Sequence, residues 1–135
     1  MAIPKKVSVF IIDDNETTRE VLRMIIQGSA FQIIGEATNG TTGLERALKL
    51  KPDIICLDVT MPDSDGLDLL QPIKQQLPQT MVLMVTASND AETVKTAISR
   101  GAAGFIIKPF NTSTVLNTME NVAAKLYELK SSQPQ

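Results

Sequence analysis

The chain has no histidine and a single cysteine in 135 residues. Without imidazole there is no histidine-based general acid/base chemistry, and most zinc sites are excluded. Cys56 has no internal disulfide partner. It lies inside the apolar run Ile54-Ile55-Cys56-Leu57 and reads as a small core residue. No run approaches the ~18 consecutive apolar residues of a membrane helix. Lys5 and Lys6 are not followed by an apolar segment that ends in small-residue cleavage chemistry, so no signal peptide is expected. These absences together favour a reducing, cytoplasmic setting. Charge of one sign is also missing: the net charge is -2. That balance gives no electrostatic reason to expect nucleic acid or an anionic membrane as a partner.

Apolar residues make up 43% and charged residues 21% of the chain, values that fit one packed core. Apolar bursts alternate with helical patterns. Strands are predicted at Val7 to Ile12, Phe31 to Ala37, Asp53 to Leu57, Met81 to Val85 and Gly104 to Ile107. The run Val7 to Ile12 is nearly continuous, as in a strand buried on both faces. Helices are predicted at Thr17 to Gln27, Gly43 to Leu50, Leu67 to Leu77 and Ala91 to Arg100, the last closed by Gly101. Gly43 weakens the start of the second helix, and Pro72 implies a kink or a late start in the third. Val115, Met119, Val122 and Leu126 mark a fifth helix. Five βα units in series predict a doubly wound α/β fold around a parallel sheet. The expected domain spans residues 1–130, with 131–135 a frayed polar tail.

In such a sheet, ligands bind beyond the carboxyl ends of the strands. The first strand ends at Asp13-Asp14, the third at Asp58, the fourth at Thr86-Ala87-Ser88 and the fifth at Lys108-Pro109. Glu36 at the end of the second reads as peripheral. Three carboxylates, a hydroxyl and an ammonium thus converge on one edge. Clustered carboxylates repel and need a cation. Lys108 supplies one charge, and the all-oxygen donor set suits Mg²⁺, Mn²⁺ or Ca²⁺ rather than zinc. Metal, lysine and the Thr86 hydroxyl together suit a phosphoryl group, which leaves one carboxylate as nucleophile. Blander readings exist for each piece. Asp13 with Glu16 fits a capping box, Asp58 fits an Asx turn, and Ser88 or Asn89 fits a helix N-cap.

The segments IIDDN, LDVTMPDSDG, VTAS and GAAGFIIKPF occur in this order across about residues 5 to 127. Together they resemble the receiver domain of two-component response regulators, of the single-domain chemotaxis type. The resemblance implies a flavodoxin-like (βα)5 fold with strand order 2-1-3-4-5. It implies that Asp58 accepts a phosphoryl group from a sensor histidine kinase or phosphotransfer protein. Asp13, Asp14, Asp58 and the Thr60 backbone carbonyl would hold Mg²⁺, with Mn²⁺ as a substitute. Lys108 would contact the phosphoryl oxygen, Thr86 and Phe105 would switch with it, and Thr60 and Ser88 would tune autodephosphorylation. It implies a cis Lys108–Pro109 bond. Output would reach a protein effector through the face of the fourth helix, fifth strand and fifth helix. The chain would act as a monomer or as a dimer promoted by phosphorylation. Phe105 departs from the tyrosine common at the switch position, so no hydroxyl is available there.

Three other functions compete. A haloacid-dehalogenase-like phosphohydrolase needs a second Asp two residues after the nucleophile. Asp58 is followed by Thr60 at that place and Asp13 by Asn15, so neither fits. A never-phosphorylated scaffold is disfavoured because every expected acidic, hydroxyl and lysine position is filled. A receiver cut from a longer regulator also fits, since the end SSQPQ resembles the start of a linker.

Overall fold

The computed structural model describes residues 6–87 and 90–132, with side chains through Leu126. Ten elements alternate along the chain. They are β1 (Val7–Ile12), α1 (Glu16–Gln27), β2 (Phe31–Ala37), α2 (Gly40–Leu50), β3 (Ile54–Asp58), α3 (Gly66–Gln76), β4 (Met81–Thr86), α4 (Ala91–Ser99), β5 (Gly104–Ile107) and α5 (Thr112–Ser132). The five strands are parallel, in the order β2-β1-β3-β4-β5. The chain therefore has the expected flavodoxin-like topology. Among the described residues, no helix is long and apolar enough to cross a membrane.

Two apolar layers explain the continuous strand runs. Val7, Val9 and Ile11 of β1 join Leu22 and Ile26 of α1 and Val115, Met119 and Val122 of α5 on one face. Phe10 and Ile12, the alternate residues of the same strand, join Ala47 of α2 and Leu70 and Ile73 of α3 on the other. Alternation along a strand sends neighbouring side chains to opposite faces, so a sheet covered on both sides needs every position apolar. In β3 and β4 every residue is buried. The exception to the apolar rule falls at their carboxyl ends, where Asp58 and Thr86 are buried polar residues.

The starts of α2 and α3 differ from expectation, each for a local reason. α2 begins at Gly40, a turn before Gly43, because Asn39 caps it by accepting from the Thr42 amide at 2.8 Å. Gly43 lies inside the helix and against the sheet; a Cβ there would stand 2.7 Å from Ile12 Cγ2. α3 begins at Gly66 under the Asp65 cap, with Pro72 inside it, so the late start at the proline does not occur. α4 starts at Ala91 as expected and is capped by Asp90, which accepts from the Thr93 amide at 2.9 Å; Ser88 and Asn89 lie outside the described residues. Gly101 follows α4 with φ +105°, the left-handed geometry expected of a residue closing that helix. β3 is displaced by one residue from its expected span. Asp53 lies before it and accepts from the Ser8 amide at 2.9 Å, while Asp58 is its last residue.

Candidate functional site

The site is built where β1, β3, β4 and β5 end. Asp13 follows β1 directly and is 1% exposed; Asp58 is 6% exposed. Asp14, one residue on, is exposed. Each of the three aspartates brings a carboxylate oxygen within 4.8 Å of the others. From β5, Lys108 Nζ reaches to 3.6 Å from Asp13 Oδ2 and 3.9 Å from Asp58 Oδ1. The Lys108–Pro109 peptide bond is cis. Thr86 is buried at the end of β4, one residue beyond the Asp58–Val85 register pair, and its carbonyl accepts from the Lys108 amide at 2.8 Å. Phe105 is half-buried opposite Met84 and packs on the α2–α3 side of the sheet. Ser88 lies outside the described residues.

Electrostatics of the cluster follow from burial. Burial and the charge of Asp13 push the Asp58 carboxyl up to about 6, against the opposing pull of Lys108. Asp13 is raised as well, first by burial, although the Asn15 amide and Lys108 oppose the rise. Three carboxyl groups face one lysine in the cluster. Among the described residues, Asp13 Oδ2 is buried without a hydrogen-bond partner and faces Lys108 Nζ at 3.6 Å. A buried, orphaned carboxylate oxygen beside two further carboxylates is a donor set that fits a hard divalent cation such as Mg²⁺.

The blander readings resolve in different ways. Asp13 does not cap α1. Asn15 does, accepting from the Thr18 amide at 2.8 Å, while Asp13 Oδ1 accepts from the Asn15 amide at 2.8 Å. Asp58 does accept from the Thr60 amide, at 3.4 Å, so its Asx-like turn and its place in the cluster coexist.

Several supporting residues were not singled out in the sequence. Gly66 starts α3 against the end of β3: its amide donates to the Val59 carbonyl at 2.6 Å, and a Cβ would stand 2.1 Å from the Asp58 carbonyl oxygen. Only glycine allows that approach. Arg19 of α1 donates to the Asp13 carbonyl at 2.7 Å and pairs with Glu36 at 3.3 Å. Arg23 grips the same carboxylate with bonds of 2.6 and 2.8 Å. Glu36 thus stays outside the acidic cluster but braces the backbone of Asp13 through Arg19. Asp63 accepts from the Gly40 amide at 2.9 Å and from the Thr41 amide at 3.0 Å, which holds its carboxyl down at about 2. Arg19 reads as one charge on an amphipathic helix, and Asp63 as a turn residue after Pro62. Their partners lie in other elements, so no local signal could have found them.

The sequence matches the family described as response regulator receiver domain over residues 9–120. It is 37% identical over 115 residues to the chemotaxis protein CheY of Listeria monocytogenes, covering 85% of this chain and 97% of that protein. The nitrate/nitrite response regulator NarL of Escherichia coli is 32% identical over 125 residues, covering 92% of this chain but 58% of that longer protein. Among solved structures, the chemotaxis protein CheY4 of Vibrio cholerae superposes with a TM-score of 0.81 at 28% identity, over 87% of this chain and 99% of that one. With sheet order, acidic edge and sequence in agreement, the chain belongs to the response regulator receiver domain family of two-component signalling.

Proposed function

We propose that the chain is a phosphorylation-gated switch in which Asp58 is the phosphoacceptor. The observation that carries this reading is the placement of a buried carboxylate, raised toward 6, between two further aspartates and Lys108 at the open edge of a rigid sheet. A carboxylate oxygen of Asp58 forms a new P–O bond while the bond from phosphorus to the donor breaks. The leaving group departs with the electron pair and takes a proton. Lys108 balances charge on the transferred group, and Thr86 donates a hydrogen bond to it. Asp13, Asp14, Asp58 and the Thr60 carbonyl would hold Mg²⁺, or Mn²⁺ in its place. Bound there, the cation would supply positive charge against phosphoryl oxygens and would lower the repulsion met by an incoming anion.

The donor is a sensor histidine kinase or phosphotransfer protein in the cytoplasm. Thr86 and Phe105 shift with the modification and bias a two-state equilibrium read by a protein effector on the α4-β5-α5 face. Thr60 and Ser88 set the rate of self-catalysed dephosphorylation. The chain acts as a signalling module and turns over no external substrate.

The test is intact-mass analysis after incubation with acetyl phosphate, with Mg²⁺ or EDTA, on wild type and Asp58→Asn. One Mg²⁺-dependent phosphoryl adduct, absent from Asp58→Asn, is expected. Absence of both the adduct and beryllofluoride binding in the wild type would remove the phospho-switch and leave a scaffold.

A further inference from the structure

The loop between β3 and α3 carries Thr60, and its geometry is held from two directions. Inside the loop, Thr60 and Asp65 form an isolated antiparallel bridge. Its two hydrogen bonds are made by their neighbours: the Met61 amide donates to the Ser64 carbonyl at 3.2 Å and the Gly66 amide to the Val59 carbonyl at 2.6 Å. In such a pair the bridged residues' own N–H and C=O groups face out of the hairpin, on a common side. The Thr60 N–H does so, pointing to Asp58 Oδ1 at 3.4 Å. The bridge therefore turns the Thr60 backbone toward the acidic cluster.

The second hold comes from another element. Asp63, at the tip of the loop, accepts from the Gly40 and Thr41 amides and from the Thr41 hydroxyl, with distances of 2.9, 3.0 and 3.0 Å. These are the first two amides of α2, donors that a helix leaves unpaired. The helix already has its own cap in Asn39. Ser64 then packs so closely on Gly40 that a Cβ there would meet its Oγ at 2.5 Å. Two charge-assisted backbone bonds between segments 23 and 22 residues apart tie the loop tip to a fixed helix.

We propose that Asp63 is a positioning residue for the cation site: by latching the loop tip to the N-terminus of α2, it fixes the Thr60 carbonyl in register with Asp13, Asp14 and Asp58. Asp63 touches neither the cation nor the phosphoryl group. It acts through the loop backbone, as an outer group orients a metal ligand. The proposal rests on the Mg²⁺ reading of the acidic cluster.

The experiment compares wild type, Asp63→Ala, Asp63→Asn and Asn39→Ala by Mg²⁺ titration calorimetry and by amide hydrogen exchange in EDTA. Asp63→Ala is expected to weaken Mg²⁺ binding about tenfold, the lower end for groups that orient a ligand. It is also expected to speed exchange at Met61 and Gly66. Asp63→Asn keeps one carbonyl acceptor and recovers part of the affinity. Asn39→Ala removes an ordinary cap from the same helix end, so it lowers stability while leaving Mg²⁺ affinity and loop exchange at wild-type values. Wild-type affinity in Asp63→Ala, or an equal loss in Asn39→Ala, would overturn the latch and reduce Asp63 to a helix cap. A wild type that binds no Mg²⁺ would overturn the cation site itself, a separate result that removes the proposal with it.

Discussion

Asp58 is the residue at which folding and the proposed function pull in opposite directions. Its carboxyl moves from an ordinary 3.8 to about 6 in the folded, metal-free protein, chiefly through burial. A raised carboxyl pKa means that the folded state binds the proton more tightly than the unfolded chain. Its stabilising contribution is complete below about 4 and is lost as pH rises through about 6. At pH 7 the charged carboxylate therefore costs stability, roughly 1–2 kcal/mol after allowance for solvent near the open edge. Asp58→Asn should be more stable than wild type by about that amount at pH 7 in EDTA, with the gap closing by pH 4. Urea melts across this range check it, and equal midpoints at pH 7 would remove the argument. Cys56, by contrast, is a buried core residue, and burial pushes its thiol up to about 12, away from the reactive thiolate.

At the scale of elements, the junction between β3 and α3 is the tightest constraint. Gly66→Ala forces a Cβ to 2.1 Å from the Asp58 carbonyl oxygen, a backbone atom with little room to move. We expect a loss of about 3 kcal/mol, and slower phosphorylation because the displaced carbonyl belongs to the proposed acceptor residue. Denaturant melts and adduct formation with acetyl phosphate measure the two effects. Pro72 sets the opposite case. It lies inside α3, where its missing N–H breaks a helix bond and its ring crowds the preceding turn. Pro72→Ala should stabilise the protein by about 1–2 kcal/mol and leave adduct formation unchanged. A loss of stability in urea melts would show that packing of the half-buried ring outweighs the backbone term.

For the molecule as a whole, the proposed cation site at the acidic edge would couple folding to cation binding. Clustering of Asp13, Asp14 and Asp58 requires the assembled sheet, so a cation held there stabilises the folded state over the unfolded one. Mg²⁺ at a hundred times its dissociation constant should add about 2.7 kcal/mol. Thermal melts should rise with Mg²⁺ and fall back with EDTA, and Asp14→Asn should blunt the response without loss of the core. An Asp14→Asn protein that keeps the full Mg²⁺ shift would place the cation elsewhere. Exchange protection should follow the layers too. Amides of β1, β3 and β4, buried between two apolar faces, should exchange slowest, and those of β2, at the sheet edge, faster.

The sequence by itself determined the fold class and the placement of most of the candidate site, and the reason is periodicity. Strands buried on both faces must be apolar at every position, so a polar residue ending such a run marks the sheet edge; Asp13, Asp58, Thr86 and Lys108 were legible for that reason. Strand spans for β1, β2 and β5 could be read to the residue, because a polar residue, Asp13, Thr38 or Lys108, directly follows each of them. Helix starts were less legible. Asn39, Asp65 and Asp90 cap through bonds two or three residues ahead, and loop sequence offers several such candidates side by side. Only the tertiary structure decided that Asp63 reaches α2, that Arg19 braces Asp13, and that Gly43 and Gly66 sit where a side chain would collide. Those contacts join residues in different elements, and a hydrogen bond or a close approach across the fold leaves no mark on the residues beside it in the chain.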